Sequence, residues 1–236
     1  MNHHPMSAVV EQFHGGLVVS CQAPRGHPLR VPGVIALLAQ CADLGGAVGL
    51  RINSPEDILA VREISRLPII GLHKVRGASG RDVITPGFGY AAELVRAGAD
   101  VVAIEATDDA PDDPWQLIAR VAGELKVPVM ADVDTLDHGL AAWQAGAALV
   151  STTLSGYTIA TKTDATKTDA RTPDLTLVAT LASRGIRTVA EGRYASSQSV
   201  ADAFAAGAWT VVVGTAITNP LEITRQFVSA TPRANR

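Results

Sequence analysis

Five polar residues have the types and positions that proton transfer requires. Gln22, Lys74, Asp132 and Glu191 stand at or just after the ends of short apolar runs, and Arg51 ends another such run. An ammonium group and a carboxylate on opposite sides of one carbon atom can remove a proton and return it, as an epimerase or isomerase must. Lys74 acts as a base only if its pKa is lowered, and like-charge repulsion from Arg51 favours that. A buried ion-pair cluster without catalytic activity fits the same residues.

The elements that must position these residues alternate regularly along the chain. The predicted strands are 17–21, 47–51, 69–74, 101–105, 127–132, 149–153, 187–191 and 211–214. The predicted helices are 34–44, 55–65, 89–97, 115–125, 136–145, 174–183, 197–206 and 221–227. Strict alternation of strand and helix indicates a parallel sheet. Eight such units in a chain of 236 residues predict one α/β domain, residues 1–236, folded as a single (β/α)8 TIM barrel.

An open, doubly wound sheet is the competing fold. It requires a glycine-rich phosphate turn after the first strand, where this chain instead has Gln22-Ala23-Pro24. In a closed barrel, the side chains of one layer come from alternate strands. Gln22, Lys74, Asp132 and Glu191 belong to predicted strands one, three, five and seven, so we expect them to form one polar layer, with Lys74 facing Glu191 across the axis.

Glycines after the last two predicted strands indicate an anion site. Gly192-Arg193 follows the seventh strand, and Gly214-Thr215 follows the eighth. Barrels commonly bind phosphate through backbone N–H groups of these two loops, and glycine allows an anion to approach the main chain closely.

The composition excludes several classes of protein. Hydrophobic residues make up 47% of the chain and charged residues 18%, which argues for a buried core and against disorder. The net charge of −3, without a basic cluster, argues against a nucleic-acid partner, and the apolar runs are too short for a membrane span. The N-terminal residues do not have the pattern of a signal peptide, so we expect a cytoplasmic protein with a small-molecule substrate.

The cysteines and terminal histidines do not suggest a metal site. We expect Cys21 and Cys41 to be core thiols, and His3-His4 to belong to a flexible tail. No metal and no cofactor are expected. The Ala-rich helices are compatible with either a monomer or a homodimer.

Residues 158–171 interrupt the alternation, because they contain the repeat Thr-Lys-Thr-Asp-Ala twice and have no apolar period. We expect an exposed loop at the C-terminal face of the barrel. It is either a lid over a ligand or a tolerated insertion.

Ordered motifs resemble the bacterial N-acetylmannosamine-6-phosphate 2-epimerase family over nearly the whole chain. They are GGLVVSCQA (15–23), GGAVGLRINSPEDI (45–58), PIIGLHK (68–74), ITP (84–86), 98–107, MADV (130–133), STTLSGYT (151–158), AEGR (190–193) and VVVGTAIT (211–218).

The resemblance implies a cofactor-independent isomerase. It would interconvert N-acetylmannosamine 6-phosphate and N-acetylglucosamine 6-phosphate by proton transfer at carbon 2, in the breakdown of sialic acid. It assigns catalysis to Lys74 and Glu191. The implied substrate-binding residues are Gln22, Arg51, Asp132 and Thr153, and the implied phosphate-binding residues are Gly192, Arg193, Gly214 and Thr215.

Three positions depart from the family pattern. Glu105 replaces an aspartate and precedes the acidic segment 108–113, and Asp134 adds a carboxylate near the expected site. Asn219 stands where the family usually has an arginine that we expect to touch phosphate. An epimerase for a differently decorated amino sugar therefore remains an alternative. A Schiff-base lyase using Lys74 and a non-catalytic binding barrel are two others.

Overall fold

Eight parallel strands close into a barrel in the computed structural model, which describes residues 7–77, 80–162 and 172–233. In chain order, the strands of the described part are β1 (Leu17–Cys21), β2 (Gly49–Asn53), β3 (Ile69–Leu72), β4 (Lys74–Arg76), β5 (Asp82–Ile84), β6 (Val101–Glu105), β7 (Val129–Asp132), β8 (Leu149–Ser151), β9 (Thr188–Glu191) and β10 (Thr210–Val213). The order around the barrel is β1-β10-β9-β8-β7-β6-β3-β2, and β4 pairs with β5 alone. The predicted (β/α)8 TIM barrel is confirmed.

In the described residues, one helix precedes the first strand and the others follow the barrel strands. They are α1 (Ala8–Gln12), α2 (Pro32–Leu44), α3 (Pro55–Arg62), α4 (Phe88–Ala97), α5 (Pro114–Arg120), α6 (Leu136–Gln144), α7 (Ile159–Lys162), α8 (Leu175–Ala182), α9 (Ser197–Ala205), α10 (Thr215–Thr218) and α11 (Pro220–Ser229). A π-helical turn, Val121–Leu125, extends α5. Within the described residues, no helix is both long and apolar enough to cross a membrane.

The inside of the barrel is filled with apolar side chains and closed at its N-terminal end by α1. Val18, Met130 and Val189 are among the buried residues of this inner cluster, together with Phe13, which directly follows α1. A Cβ at Gly49 would lie 2.4 Å from the Phe13 ring, so only glycine allows the ring to seat there. The opposite, C-terminal mouth is the end at which barrel enzymes carry their sites.

Period-two alternation along the strands turns polar side chains into that mouth. Arg51 shares a face with Gly49, Asp132 with Met130, and Glu191 with Val189. The apolar residues of a strand thus fill the barrel, while its last inward residue is polar.

Two sequence predictions, one on a strand and one on a cysteine, need correction. The third barrel strand ends at Leu72, not Lys74, because Lys74 already pairs with Ile84 in the separate β4–β5 hairpin. Cys41 is exposed, whereas Cys21 is buried as predicted. The buried positions of α2 include Ile35, Ala39 and Ala42, and position 41 lies off that helical face.

The prediction of an exposed loop over residues 158–171 is wrong for the first residues of that segment. Thr158 is buried, and residues 159–162 form α7. Residues 163–171 lie outside the described residues, as do His3 and His4.

Candidate active site

Arg51 lies at the centre of a hydrogen-bonded cluster in the mouth of the barrel. Its side chain is 1% exposed, and its Nη2 donates to Asp132 Oδ2 over 2.6 Å. Its Nη1 forms an ion pair with Glu191 and donates to Thr153 Oγ1 at 3.0 Å. One guanidinium group therefore joins β2 to the ends of β7 and β9 and to the loop after β8.

Thr153 connects the two carboxylates of this cluster. Its Oγ1 lies 2.7 Å from Asp132 Oδ1 and 3.0 Å from Glu191 Oε2. Ser151 Oγ lies 2.7 Å from the same hydroxyl and 3.4 Å from Glu191. A hydroxyl has one proton, so Thr153 can donate to only one carboxylate at a time.

Burial raises the pKa of Asp132, and the Arg51 charge and the Thr153 hydroxyl act in the opposite direction. The paired guanidinium group is what allows a carboxylate to remain at a fully buried position.

Lys74 stands beside this cluster at the start of β4. Desolvation, followed by the Arg51 charge, lowers the pKa of Lys74 to about 8, while Asp132 and Asp82 oppose the shift. The residue is nevertheless exposed by surface area. Both observations fit a side chain in a concave mouth, where water has access but protein surrounds the ammonium group. A lowered pKa is what Lys74 needs in order to act as a base near neutral pH.

The predicted four-residue layer forms only in part. Asp132 and Glu191 come together because both bind the Arg51 side chain. The sequence predicts Arg51 only on the neighbouring strand, outside the layer. Gln22 Nε2 donates to Ser20 Oγ at 2.8 Å, and its buried Oε1 has no hydrogen-bond partner among the described residues. Ser151 is not among the site residues predicted from the sequence. It is two positions after Leu149, which points into the barrel, so period-two alternation could have identified it.

The two glycine loops lie side by side, because Val212 of β10 pairs with Glu191 of β9. Gly192 has a φ of 108°, which favours glycine. A Cβ at Gly214 would lie 3.3 Å from Ser20 Cβ, which is a tight approach. Thr215 is exposed and begins α10.

Arg193 contacts the segment after β8. Its Nη1 donates to the Ser155 carbonyl at 2.9 Å and its Nε to the Thr172 carbonyl at 2.6 Å. Its guanidinium group also lies 5.4 Å from the centre of the Tyr157 ring. Arg193 thereby ties together the residues that flank segment 158–171 on its two sides.

The residues that depart from the family pattern all have partners. Glu105 is 1% exposed and pairs with Arg81. Asp134 accepts hydrogen bonds from Thr158 at 2.6 Å and lies 2.6 Å from His138 Nδ1, so this carboxylate is not free for a substrate. Asn219 accepts from the Glu222 backbone N–H at 3.2 Å and caps α11.

Comparison with known proteins identifies the family. The family described as "Putative N-acetylmannosamine-6-phosphate epimerase" matches residues 35–233. Two relatives are named "Putative N-acetylmannosamine-6-phosphate 2-epimerase". The relative from Thermosynechococcus vestitus is 44% identical over 93% of this chain and 94% of its own length. The relative from Caldanaerobacter subterraneus is 39% identical over 94% of this chain and 93% of its own length.

A solved structure of a named epimerase is also similar to this chain. The N-acetylmannosamine-6-phosphate 2-epimerase from Clostridium perfringens superposes with a TM-score of 0.87 and is 31% identical. The match covers 98% of this chain and 100% of that one. The barrel, the polar mouth and these relatives together place the chain in the N-acetylmannosamine-6-phosphate 2-epimerase family, whose members are isomerases.

Proposed function

We propose that this enzyme interconverts N-acetylmannosamine 6-phosphate and N-acetylglucosamine 6-phosphate. The Arg51 cluster carries the proposal: it holds Glu191 and Asp132 in the barrel mouth, beside a lysine whose pKa is lowered to about 8. An amine and a carboxyl group, one of which carries a proton while the other does not, can take a proton from one face of a carbon atom and return one to the other face.

Lys74 and Glu191 are the proton-transfer groups. The proton on carbon 2 is acidic only in the open-chain sugar, where carbon 1 is an aldehyde. Removal of that proton sends the electron pair of the C–H bond toward the carbonyl oxygen and gives an enolate. Arg51 supplies positive charge to this part of the mouth and stabilises the enolate. Glu191 in its carboxylic acid form then delivers a proton to the opposite face of carbon 2, which gives the other epimer. In the reverse direction Glu191 removes the proton and protonated Lys74 returns one.

The remaining polar groups bind the substrate. Gln22, whose Oε1 has no partner among the described residues, offers that oxygen to a substrate hydroxyl or amide. Thr153 contacts the sugar, and the buried Asp132 acts on the substrate through Arg51 and Thr153, which it holds in place. Backbone N–H groups around Gly192-Arg193 and Gly214-Thr215 bind the phosphate. This role for Arg193 involves its main chain, since its side chain contacts Ser155 and Thr172.

Proton NMR in heavy water tests this function. We expect N-acetylmannosamine 6-phosphate to yield the gluco epimer carrying deuterium at carbon 2, and the unphosphorylated sugar to react more slowly. Faster reaction of the unphosphorylated sugar would refute the phosphate assignment. A lysine adduct trapped by borohydride, without carbon-2 exchange, would instead indicate a lyase.

We also infer a cytoplasmic role in the breakdown of amino sugars and sialic acid. Cys21 and Cys41 are free thiols, as is usual in a reducing compartment. Epimerase activity in the cytoplasmic fraction of cells tests the location. Loss of growth on sialic acid after deletion of the gene tests the pathway.

We further infer a homodimer. None of the residues of α11 is buried, and Leu221, Phe227 and Val228 are exposed on it. A second copy of the chain covers this apolar surface. Sedimentation should give twice the 24.5 kDa mass of the chain, and Phe227→Glu should give the monomer.

A further inference from the structure

Lys74 is carried by a hairpin and not by a barrel strand. Lys74 pairs with Ile84 across the antiparallel β4–β5 ladder. Its backbone N–H donates to Asn53 Oδ1 at 2.9 Å. At the base of the hairpin, His73 N–H donates to Thr85 Oγ1 at 3.0 Å, and Thr85 N–H donates to the His73 carbonyl at 2.8 Å. The position of the ammonium group therefore depends on how this hairpin is attached to the barrel.

Glu105, the last residue of β6, attaches the β4–β5 hairpin to the barrel. Its Oε2 accepts the backbone N–H of Ile84, the residue opposite Lys74, at 3.2 Å. Arg81, in the hairpin connection, donates to Oε1 at 2.6 Å and to Oε2 at 3.1 Å. Thr107 Oγ1 donates to Oε1 at 3.0 Å. One buried carboxylate thus binds both the strand and the turn of the hairpin that carries Lys74.

Two features indicate more than a stabilising contact. A buried ion pair is a weak source of stability, since apolar residues of similar volume often stabilise a fold as well or better, but its geometry is specific. Thr85, directly after Ile84, is fully buried and has a φ of 49°, which is unusual for a β-branched residue. Backbone strain of this kind persists only where the surroundings hold it, and it is concentrated at functional sites.

We propose that Glu105 and Arg81 are positioning residues for Lys74: they hold the β4–β5 hairpin so that its ammonium group stays over the barrel mouth. This inference rests on the proposed function, in which Lys74 moves the proton at carbon 2. The charged groups that face Lys74 are Arg51 from β2, Asp132 from β7 and Asp82 from β5.

The opposite end of β6 provides a matched control. Asp100, just before β6, accepts the Ile69 backbone N–H at 2.8 Å and pairs with Arg62. It makes the same two kinds of contact as Glu105, but far from the mouth. Asp100→Asn therefore reports the effect of lost stability alone. Arg76→Gln removes the exposed Arg76–Asp82 pair on the hairpin itself and is a second control.

The first readout is kinetic. We expect Arg81→Met and Glu105→Gln to lower kcat for carbon-2 exchange by about 10- to 100-fold, the scale for a misplaced catalytic group, with KM within about threefold. Arg81→Lys should restore part of kcat. Asp100→Asn should lower the melting temperature and leave kcat unchanged, and Arg76→Gln should change neither. Equal losses of kcat in Asp100→Asn and Glu105→Gln would overturn the proposal.

The second readout does not require activity. The lysines of the chain are Lys74, Lys126, Lys162 and Lys167, so ¹³C-methylated protein gives few resonances, and Lys74→Arg identifies that of Lys74. Release of the hairpin should raise the Lys74 titration point from about 8 toward 10.5 in both Arg81→Met and Glu105→Gln. A purely electrostatic influence would move it in opposite directions, because the two variants change the charge with opposite signs.

The outcomes separate the two proposals. Exchange by the wild-type enzyme with unchanged kcat and unchanged Lys74 titration in both variants refutes the positioning role and leaves the proposed function intact. Absence of exchange in the wild type, with a Lys74 titration that still rises in both variants, refutes the proposed function and supports the positioning role.

Discussion

Arg51 Nη2 lies 2.6 Å from Asp132 Oδ2, and both side chains are buried in the barrel mouth. Arg51→Met leaves that carboxylate without its charge partner. Loss of one member of a buried pair typically lowers the free energy of unfolding by about 3 to 5 kcal/mol, and we expect a loss in this range. Arg51→Met also leaves Glu191 unpaired, but Asp132 is the more deeply buried of the two carboxylates. Adding Asp132→Asn removes that charge and should restore at least half of the loss. Urea unfolding of both variants measures this, and an additive further loss in the double variant would contradict it.

The pKa of Lys74 sets the pH dependence of the reaction. Lys74 must be neutral to accept a proton, and its pKa is lowered to about 8 from 10.5. The exchange rate should therefore rise with pH through about 8 and level off above it. The pH profile of kcat/KM measures this limb, which reports the free enzyme. A limb close to 10.5 would show that the protein does not lower the pKa of Lys74.

The Thr153 hydroxyl should matter more for rate than for stability. Thr153→Val keeps the shape of the side chain but removes its contacts with Asp132 and Glu191. We expect kcat to fall about 10-fold, the kinetic equivalent of about 1.4 kcal/mol.

Thr188 provides the control for Thr153. Its Oγ1 donates to the Ile186 carbonyl at 3.1 Å, at the opposite end of the strand that carries Glu191. Thr188→Val should lower the melting temperature without changing kcat. Steady-state kinetics and thermal unfolding of both variants distinguish an effect on rate from an effect on stability. Equal kcat values for Thr153→Val and Thr188→Val would refute the role of Thr153 in the reaction.

Asn219 tests the contribution of charge to phosphate binding. Asn219→Arg restores the residue usual in the family and should lower KM for the phosphorylated sugar. It also removes the cap of α11, at a cost of about 1 kcal/mol in stability. Asn219→Asp keeps a capping carboxylate and adds a negative charge, so it should raise KM instead. KM values that do not change in either variant would place the phosphate elsewhere.

The two cysteines should differ in reactivity. Cys41 is exposed, whereas Cys21 is buried and desolvation raises its pKa to about 12. A thiol reagent should modify one cysteine rapidly in the native protein and both after denaturation. Rapid native modification that persists in Cys41→Ser would contradict the assigned burial.

Regular features could be predicted from the sequence because local physical rules govern them. The alternation of strands and helices follows from hydrophobic period and helix-ending glycines, and it was enough to predict the barrel. The same period placed Asp132 and Glu191 at strand ends, as observed, whereas Arg51, predicted to end its strand, lies in the middle of β2. The motifs that carry the family resemblance were also visible in the sequence.

The errors concern features without a local signal. Strand β3 stops at Leu72 because its neighbours pair no further and His73 bonds to Thr85 instead. No periodicity marks a hairpin of two three-residue strands. The exposure of Cys41 depends on which face of α2 the barrel covers, and the partner of Glu105 is an arginine 24 positions away in the chain.

The sequence by itself determined the barrel, its polar mouth and the set of residues available for proton transfer, since these depend on periodicity and residue type. Only the tertiary structure decided that Arg51 is the centre of the cluster and that Lys74 is held by a hairpin clamped through Glu105. The physical reason is that hydrogen bonds and ion pairs act over about 3 Å in space. They link residues such as Arg51 and Glu191, which are 140 positions apart in the chain.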